Sequence, residues 1–144
     1  IRKVTVIPTL SLPQSIVARL AFDSELSPEE NAEAMTLAAE SIRTVSVTKA
    51  VRDAVVNGIR VECGEYIGLL EGDLVSTGAT LSECLGYMED IFSDAEFINL
   101  YYGADVDYKT AKETAGIISS LAPDGETELI SGGQPLYDYL ISLE

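Results

Sequence analysis

The sequence has no histidine, no tryptophan and only two cysteines among its 144 residues. Without histidine there is no imidazole base, no Ser-His-Asp triad and no histidine ligand for a metal, although carboxylate and lysine chemistry stays open. Cys63 and Cys84 do not form a CxxC pair. Isolated cysteines of this kind are typical of small apolar side chains in the reducing cytosol. We therefore expect a cytoplasmic protein that is not built around a disulfide framework.

Basic residues are also scarce, because 9 Lys and Arg stand against 24 Asp and Glu, a formal charge of −15. Nucleic acids and anionic membrane surfaces attract clustered Lys and Arg, so we expect neither as a partner. No apolar run is long enough to span a bilayer, and we expect no membrane insertion. The excess acid is explained by solubility, which we favour, or by an acidic face that docks a basic partner.

Phosphate-binding motifs are missing as well, since neither G-x-x-x-x-G-K-[ST] nor G-x-G-x-x-G occurs. No group of Asp and Glu has the spacing of a calcium loop. The sequence therefore predicts no cofactor or metal in this chain, and no catalytic residue can be named from it.

What is present is enough apolar material, 47% of the residues, for one domain with a core. The first part predicts a strand at Arg2–Ile7 and a helix after Pro13. A second helix begins at the capping box of Ser27 and Glu30, with a buried stripe of Ala32, Met35, Ala39 and Ile42. Because the chain starts in a strand without Met, we expect it to be a piece of a longer protein.

From Thr44 the apolar period changes to two. Residues 44–56 predict one long strand, Asn57-Gly58 a hairpin turn, and residues 59–76 two or three short strands. A further helix is predicted over residues 80–92, capped by Thr80, with Cys84 on its buried face.

The last third predicts a strand near Phe97–Tyr102, a helix capped by Asp107, a strand near Glu126–Ile130, a turn and a final strand. A strand–helix–strand unit makes its two strands parallel, and ligands bind beyond the carboxyl ends of such strands. If these strands are neighbours, Tyr102-Gly103-Ala104 and residues 131–134 share one rim. An exposed aromatic from Tyr101-Tyr102 would assist docking there.

Two further segments are candidate binding sites, each with a structural alternative. Thr9, Ser11 and Gln14 lie where a strand meets a helix, and could hold an anion at the helix N-terminus. Satisfying local backbone groups is the favoured alternative. Arg52 lies inside the predicted long strand, where it could line a cleft or form a solvated edge pair with Asp53. Neither interpretation of Arg52 is preferred.

The glycine-rich segment before the final strand is the third candidate. Gly132, Gly133, Gln134 and Pro135 could present backbone amides to a partner on the rim. The alternative, which composition favours, is a tight reversal into the last strand.

Five segments in this order resemble one bacterial family: "VTVIPTLSLPQSIVARLAFD", "ENAEAMTLAAESI", "TKAVRDAVVNGIRVECGEYIGLLEGDLVST", "LYYGADV" and "GGQPLYDYLISLE". The family is the dihydroxyacetone-kinase-like catalytic subunit of fatty acid kinase, and the resemblance is to its C-terminal region. It implies that an ATP-binding domain elsewhere, using ATP and Mg²⁺, phosphorylates the carboxylate of a fatty acid. A DegV-type fatty-acid-binding protein presents that fatty acid, and the C-terminal region is implicated in docking this carrier.

The chain also resembles, more distantly, the DegV fold itself. This implies an α/β protein with a mixed sheet, packed helices and a terminal β-α-β-β unit. Residues 1–42 would be the remainder of a first subdomain, with one strand and two helices, and residues 43–144 a DegV-like subdomain. An unpaired edge in residues 1–42 would favour a homodimer.

The glycine turn of DegV proteins usually carries a histidine at the lipid carboxylate, whereas residues 131–135 here contain none. We therefore expect a docking module that is not itself an enzyme, within a parent that is an ATP-dependent kinase. The alternative is a DegV-type domain that binds a fatty acid or a phosphorylated ligand. An independent enzyme is the least favoured interpretation.

Overall fold

The computed structural model describes residues 4–9 and 11–144. Two compact units compose the chain, Ile1–Thr44 and Val45–Glu144, called here the N-terminal and C-terminal units. Whether residues 1–42 are the remainder of a larger subdomain stays a prediction.

The N-terminal unit contains two helices, α1 (Leu12–Leu20) and α2 (Pro28–Glu40). Ser27 accepts a hydrogen bond from the Glu30 amide, and the Glu30 carboxylate accepts one from the Ser27 amide, which confirms the predicted capping box. The hydrogen bonds with Ser27, chiefly the one from its backbone amide, lower the pKa of the Glu30 carboxyl.

The strand expected at the start of the chain is not found. Arg2 and Lys3 lie outside the described residues, and residues 4–7 form no strand. Val4 and Val6 are 84% and 81% exposed. A strand persists only where a neighbour pairs with its backbone, and no described residue before Arg43 is in a strand.

The buried stripe predicted for α2 is only partly present. Ala39 and Ile42 are buried, but Ala32 and Met35 are half-buried and line an apolar groove of about 400 Å³. Among the described residues before Arg43 there is no strand that could cover them.

The C-terminal unit is built on a six-stranded mixed sheet and a separate two-stranded hairpin. The elements from residue 43 onward are β1 (Arg43–Lys49), β2 (Ala54–Val56), β3 (Ile59–Val61), β4 (Tyr66–Leu70), β5 (Asp73–Gly78), α3 (Leu81–Gly86), α4 (Glu89–Ser93), β6 (Phe97–Tyr102), α5 (Tyr108–Leu121), β7 (Glu126–Ser131) and β8 (Tyr139–Leu143). The order of the large sheet is β5-β4-β1-β8-β6-β7, and β2 and β3 form the hairpin. β6 and β7 are parallel, whereas the pairs β1–β4, β4–β5 and β6–β8 are antiparallel. This confirms the predicted fold class and the terminal β-α-β-β unit.

The prediction of a single long strand over residues 44–56 is wrong, because β1 ends at Lys49 and β2 begins at Ala54. Between them the Asp53 carboxylate accepts a hydrogen bond from the Cys63 amide at 2.7 Å. This contact pins a bend, and Arg52 is exposed within it. Arg52 is therefore not inside a strand, although the Asn57-Gly58 hairpin is confirmed with φ of 52° and 78°.

The helix predicted over residues 80–92 is divided into α3 and α4 at Tyr87 and Met88. The Met88 side chain packs on the sheet at Gly68, where a Cβ atom would lie 2.7 Å from Met88 Cε. Packing against the sheet thus prevails over helix continuation. Thr80 caps α3 as predicted.

The core of this unit lies between one face of the sheet and the helices α3, α4 and α5. Cys84 is fully buried in it, as expected, and burial raises the pKa of its thiol. The largest fully buried side chains here are those of Tyr139, Phe92, Leu85, Met88, Ile98, Leu100, Ile118, Ile141 and Leu143.

Candidate functional site

The carboxyl ends of β6 and β7 lie side by side, so the condition under which the sequence predicts a shared rim is met. Tyr102 pairs with Ser131 at the end of a continuous parallel register. Residues 102–107 and 132–138 follow these ends, and we call them the carboxyl rim. Its position is the one at which open α/β sheets bind ligands.

The glycine-rich segment is not a tight reversal. β8 pairs with β6 on the side away from β7, so residues 132–138 must cross the end of β6. The amides of Gly132 and Gly133 both donate to the Tyr102 carbonyl, at 3.0 and 3.2 Å. These amides already have an acceptor, so they are not presented to a ligand.

Two further hydrogen bonds, donated by residues that follow β6, also hold the segment that crosses the end of β6. The Gly103 amide donates to the Asp138 carbonyl at 2.8 Å, and the Ala104 amide donates to the Gln134 carbonyl at 3.0 Å. A Cβ atom on residue 103 would collide with the Tyr137 carbonyl. The crossing therefore requires glycine at position 103.

Gln134 stabilises the crossing with its side chain. Its Nε2 donates to the carbonyls of Tyr101, at 3.0 Å, and Tyr137, at 3.4 Å. Its Oε1 is buried and accepts no hydrogen bond from the described residues. Pro135 follows in an exposed bend.

Exposed apolar side chains project from the rim. Leu136 is 84% exposed and has a φ of 73°, and Tyr137 is 36% exposed. Tyr108, just beyond the rim, is 61% exposed and its ring meets that of the half-buried Tyr102 edge to face, with centroids 6.5 Å apart. Tyr101, by contrast, is buried, and burial raises the pKa of its phenol. Exposed tyrosines of this kind commonly anchor protein interfaces.

A cleft of about 310 Å³ opens beside the rim. It is lined by Lys49, Tyr66, Leu81, Asp105, Val106, Asp107, Thr110, Asp138 and Tyr139. None of these residues was singled out from the sequence as a binding residue. Lys49 and Tyr66 come from β1 and β4, far from the rim along the chain, so no local motif could have pointed to them.

The charges in this cleft are unbalanced, with three carboxylates beside one ammonium group. Lys49 Nζ lies 5.0 Å from the centre of the Tyr66 ring. Partial burial raises the pKa of Asp138, an effect that Lys49 opposes and Asp105 reinforces. Hydrogen bonds from the Thr110 hydroxyl and from the Thr110 amide, the latter at 2.7 Å, lower the pKa of the Asp107 carboxyl. The cleft suits a basic or hydrogen-bond-donating group and repels a free carboxylate.

The remaining predicted residues lie in the N-terminal unit and in the bend. Ser11 Oγ caps α1 by accepting from the Gln14 amide at 3.3 Å, and Thr9 Oγ1 bonds Ser15 Oγ at 2.8 Å. These are the local bonds of the structural alternative, and an anion role for Thr9, Ser11 and Gln14 stays a prediction. Arg52 does not line the cleft described above.

Across the described ranges, no three Asp, Glu or Cys side chains converge as metal ligands do. Over the same ranges, no helix combines the length and the apolar character needed to cross a bilayer.

Relatives found by sequence are longer than this chain. An uncharacterized protein of Staphylococcus haemolyticus is 36% identical over 143 residues, which cover 96% of this chain and 26% of that protein. An uncharacterized protein of Staphylococcus aureus strain USA300 is 33% identical over 143 residues with the same coverage. The chain thus spans about a quarter of the length of these relatives.

Solved structures share the fold. A DegV family protein from Corynebacterium glutamicum superposes with a TM-score of 0.61 at 9% identity, covering 91% of this chain and 58% of that one. The Streptococcus pneumoniae fatty acid kinase B3 protein, loaded with linoleic acid, gives a TM-score of 0.56 at 18% identity, covering 85% and 51%. These likenesses confirm a DegV-like fold.

A sequence model of one family, the C-terminal domain of FakA-like fatty acid kinase proteins, matches residues 1–144. This match covers the whole chain and confirms the resemblance that the five segments suggested. The chain belongs to the family of FakA-like fatty acid kinase C-terminal domains.

Proposed function

We propose that this chain is a non-catalytic docking module of a fatty acid kinase. It would hold a DegV-type fatty-acid-binding protein so that the acyl carboxylate reaches an ATP-binding domain on the same parent protein. ATP and Mg²⁺ would be bound by that domain and not by this chain. Membership of the family supports the kinase context, and relatives about four times as long leave room for such a domain.

The chemistry of the carboxyl rim carries this proposal. Its glycine amides are bonded to the Tyr102 carbonyl, and the adjoining cleft presents Asp105, Asp107 and Asp138. A bound fatty acid would have to bring a fourth carboxylate beside these three. A protein surface with basic or amide groups, packed against Tyr108 and Leu136, meets no such repulsion.

Titration calorimetry with a DegV-type fatty-acid-binding protein loaded with a long-chain fatty acid tests the proposal. We expect binding by the unaltered chain and at least a tenfold loss for Tyr108→Ala, since exposed tyrosines near the centre of an interface often contribute most of its affinity. Tyr87→Ala is the matched control, because Tyr87 is 69% exposed and lies outside the rim. Its affinity should change less than about twofold.

Folded protein that gives no heat and no complex on gel filtration would refute the docking role. Fatty acid that copurifies with the chain in native mass spectrometry would instead support the alternative of a DegV-type lipid-binding domain. The expectation of a homodimer rested on an unpaired strand edge in residues 1–42, but residues 4–7 form no strand. It stays a prediction that gel filtration can check.

A further inference from the structure

The outer edge of β7 is an unpaired strand edge. β7 (Glu126–Ser131) is last in the strand order and pairs only with β6 among the strands of the described ranges. The Glu126 amide donates to the Glu96 carbonyl at 2.8 Å, and the Gly132 amide donates to the Tyr102 carbonyl. Because backbone groups alternate in direction along a strand, the amides of Thr127, Leu129 and Ser131 point away from β6.

This edge lacks most of the devices that commonly blunt an exposed edge. It contains no proline or lysine, and its six register pairs with β6 run without a bulge. The opposite edge of the sheet is different, because the register of β5 on β4 shifts between Gly68 and Leu69. β7 is therefore the straighter of the two edges.

The two faces of β7 differ in chemistry. Glu126 and Glu128 are exposed and share one face. Leu129 is half-buried on the other face, where α5 contributes the half-buried Ile117 and Leu121. A strand laid along this edge would meet carboxylates on one side and an apolar shoulder on the other.

We propose that β7 accepts an extended segment of a protein partner as a seventh strand of the sheet. The segment would carry Lys or Arg at alternate positions beside Glu126 and Glu128, and apolar residues beside Leu129. Main-chain bonds to residues 127, 129 and 131 would give affinity, and the alternating side chains would give specificity. This proposal does not depend on the docking function proposed above.

A second copy of the chain fits the edge less well. Antiparallel pairing of two β7 strands about a two-fold axis puts the glutamates of both copies on the same face. Residues 45–144 already hold 18 acidic against 5 basic residues, which adds long-range repulsion. The same glutamates that disfavour self-pairing select a basic strand.

Hydrogen exchange followed by NMR, with the peptide acetyl-Val-Lys-Val-Lys-Val-Lys-Val-amide as the probe, tests the proposal. At saturation we expect the amide exchange of Thr127, Leu129 and Ser131 to slow at least tenfold, since these amides gain acceptors. The amides of Glu128 and Ile130 should change little, because β6 already pairs with them.

Substitutions separate strand addition from simple charge attraction. Thr127→Pro removes one outward amide without breaking a bond to β6, and should weaken peptide binding at least tenfold. Glu126→Lys with Glu128→Lys should do the same. The matched control is Glu62→Lys with Glu113→Lys, which changes the net charge equally at exposed positions outside β7 and should weaken binding less than threefold.

Unchanged exchange at residues 127, 129 and 131 with saturating peptide would overturn the proposal. Equal losses in the control pair would reduce the binding to general electrostatics and also overturn it. A dimer of the chain that Thr127→Pro converts to a monomer would show that the occupant is a second copy. If Thr127→Pro does not fold, the charge variants and the exchange pattern still decide the question.

Discussion

The two units of the chain differ in how far they bury their apolar side chains. The C-terminal unit covers one sheet face with three helices and buries a continuous apolar core. Among the described residues of the N-terminal unit, few hydrophobic side chains are fully buried. They include those of Ala18, Ala39 and Ile42. Several of its large apolar side chains are more than half exposed, namely Val4, Val6, Leu20, Phe22 and Leu37.

The two units also differ in net charge, and the C-terminal unit carries most of the acidic excess. Residues 1–44 hold 6 acidic and 4 basic residues, whereas residues 45–144 hold 18 and 5. The C-terminal unit thus offers an acidic surface on a packed scaffold, and the N-terminal unit an apolar surface on a sparse one. Their partners should differ accordingly, with basic groups for the first and apolar cover for the second.

The largest contrast should come from truncating one large apolar side chain in each unit. Phe92→Ala deletes a fully buried ring and should lower the free energy of unfolding by about 3–5 kcal/mol. Met35→Ala removes a half-buried side chain beside an open groove and should cost roughly 1 kcal/mol or less. Urea unfolding followed by circular dichroism measures both. Equal losses would mean that the N-terminal unit is packed as tightly as the C-terminal unit.

A pair of glycines tests how rigidly the C-terminal unit holds its rim. Gly103→Ala forces a Cβ atom onto the Tyr137 carbonyl and should destabilise the protein by about 1–3 kcal/mol. Gly116→Ala, on α5 where nothing lies within 4 Å of the new Cβ, should stabilise it by about 0.5–1 kcal/mol. Thermal unfolding of the two variants should move in opposite directions. If Gly103→Ala has no effect, the crossing does not require glycine at position 103.

How much of the fold could be predicted from the sequence depended on whether a signal was local. The Ser27 capping box and the Asn57-Gly58 hairpin follow from residues close in sequence, and the parallel direction of β6 and β7 follows from the helix between them. All three are present. The end of β1 at Lys49 was missed because it depends on where its antiparallel partner β4 begins, at Tyr66.

The rim itself was predicted, but its bonding was not. A tight turn and a crossing over β6 have the same glycine-rich composition, and only the position of β8 between β1 and β6 distinguishes them. The cleft was missed for a similar reason, since Lys49 and Asp138 meet only through the sheet order. Sheet order depends on long-range pairing, which local propensity does not encode.

Each unit contains a hydrogen bond between two hydroxyl groups, and the free energies lost on breaking these bonds can be compared. Tyr139→Phe breaks the buried bond between Tyr139 OH and Thr114 Oγ1, 2.8 Å long, and should cost about 1 kcal/mol. The Thr114 hydroxyl keeps its bond to the Thr110 carbonyl, which limits the loss. Thr9→Val breaks a partly buried bond in the N-terminal unit and should cost roughly 0.5 kcal/mol or less. Urea midpoints in the reverse order would contradict the contrast in burial.

The smallest effect concerns the pH dependence contributed by Asp138. Its pKa is raised, chiefly by burial, so this group contributes stability that is present below its unfolded pKa and is lost as pH rises through its folded pKa. Asp138→Asn removes that loss and should slightly raise stability at pH 7 relative to the unaltered chain. Unfolding measured from pH 3 to pH 7 should show the two curves separating as pH rises. Parallel curves would show that Asp138 is solvated.

Hydrogen–deuterium exchange of this chain, with and without a fatty-acid-loaded DegV-type binding protein, tests the central proposal most directly. The proposed docking function predicts slower exchange in residues 102–107 and 132–138 when the carrier is saturating, since the carboxyl rim would become an interface. The internal control is α2, whose exchange should stay unchanged. Binding that leaves both rim segments unprotected, or that protects only the N-terminal unit, would contradict the account.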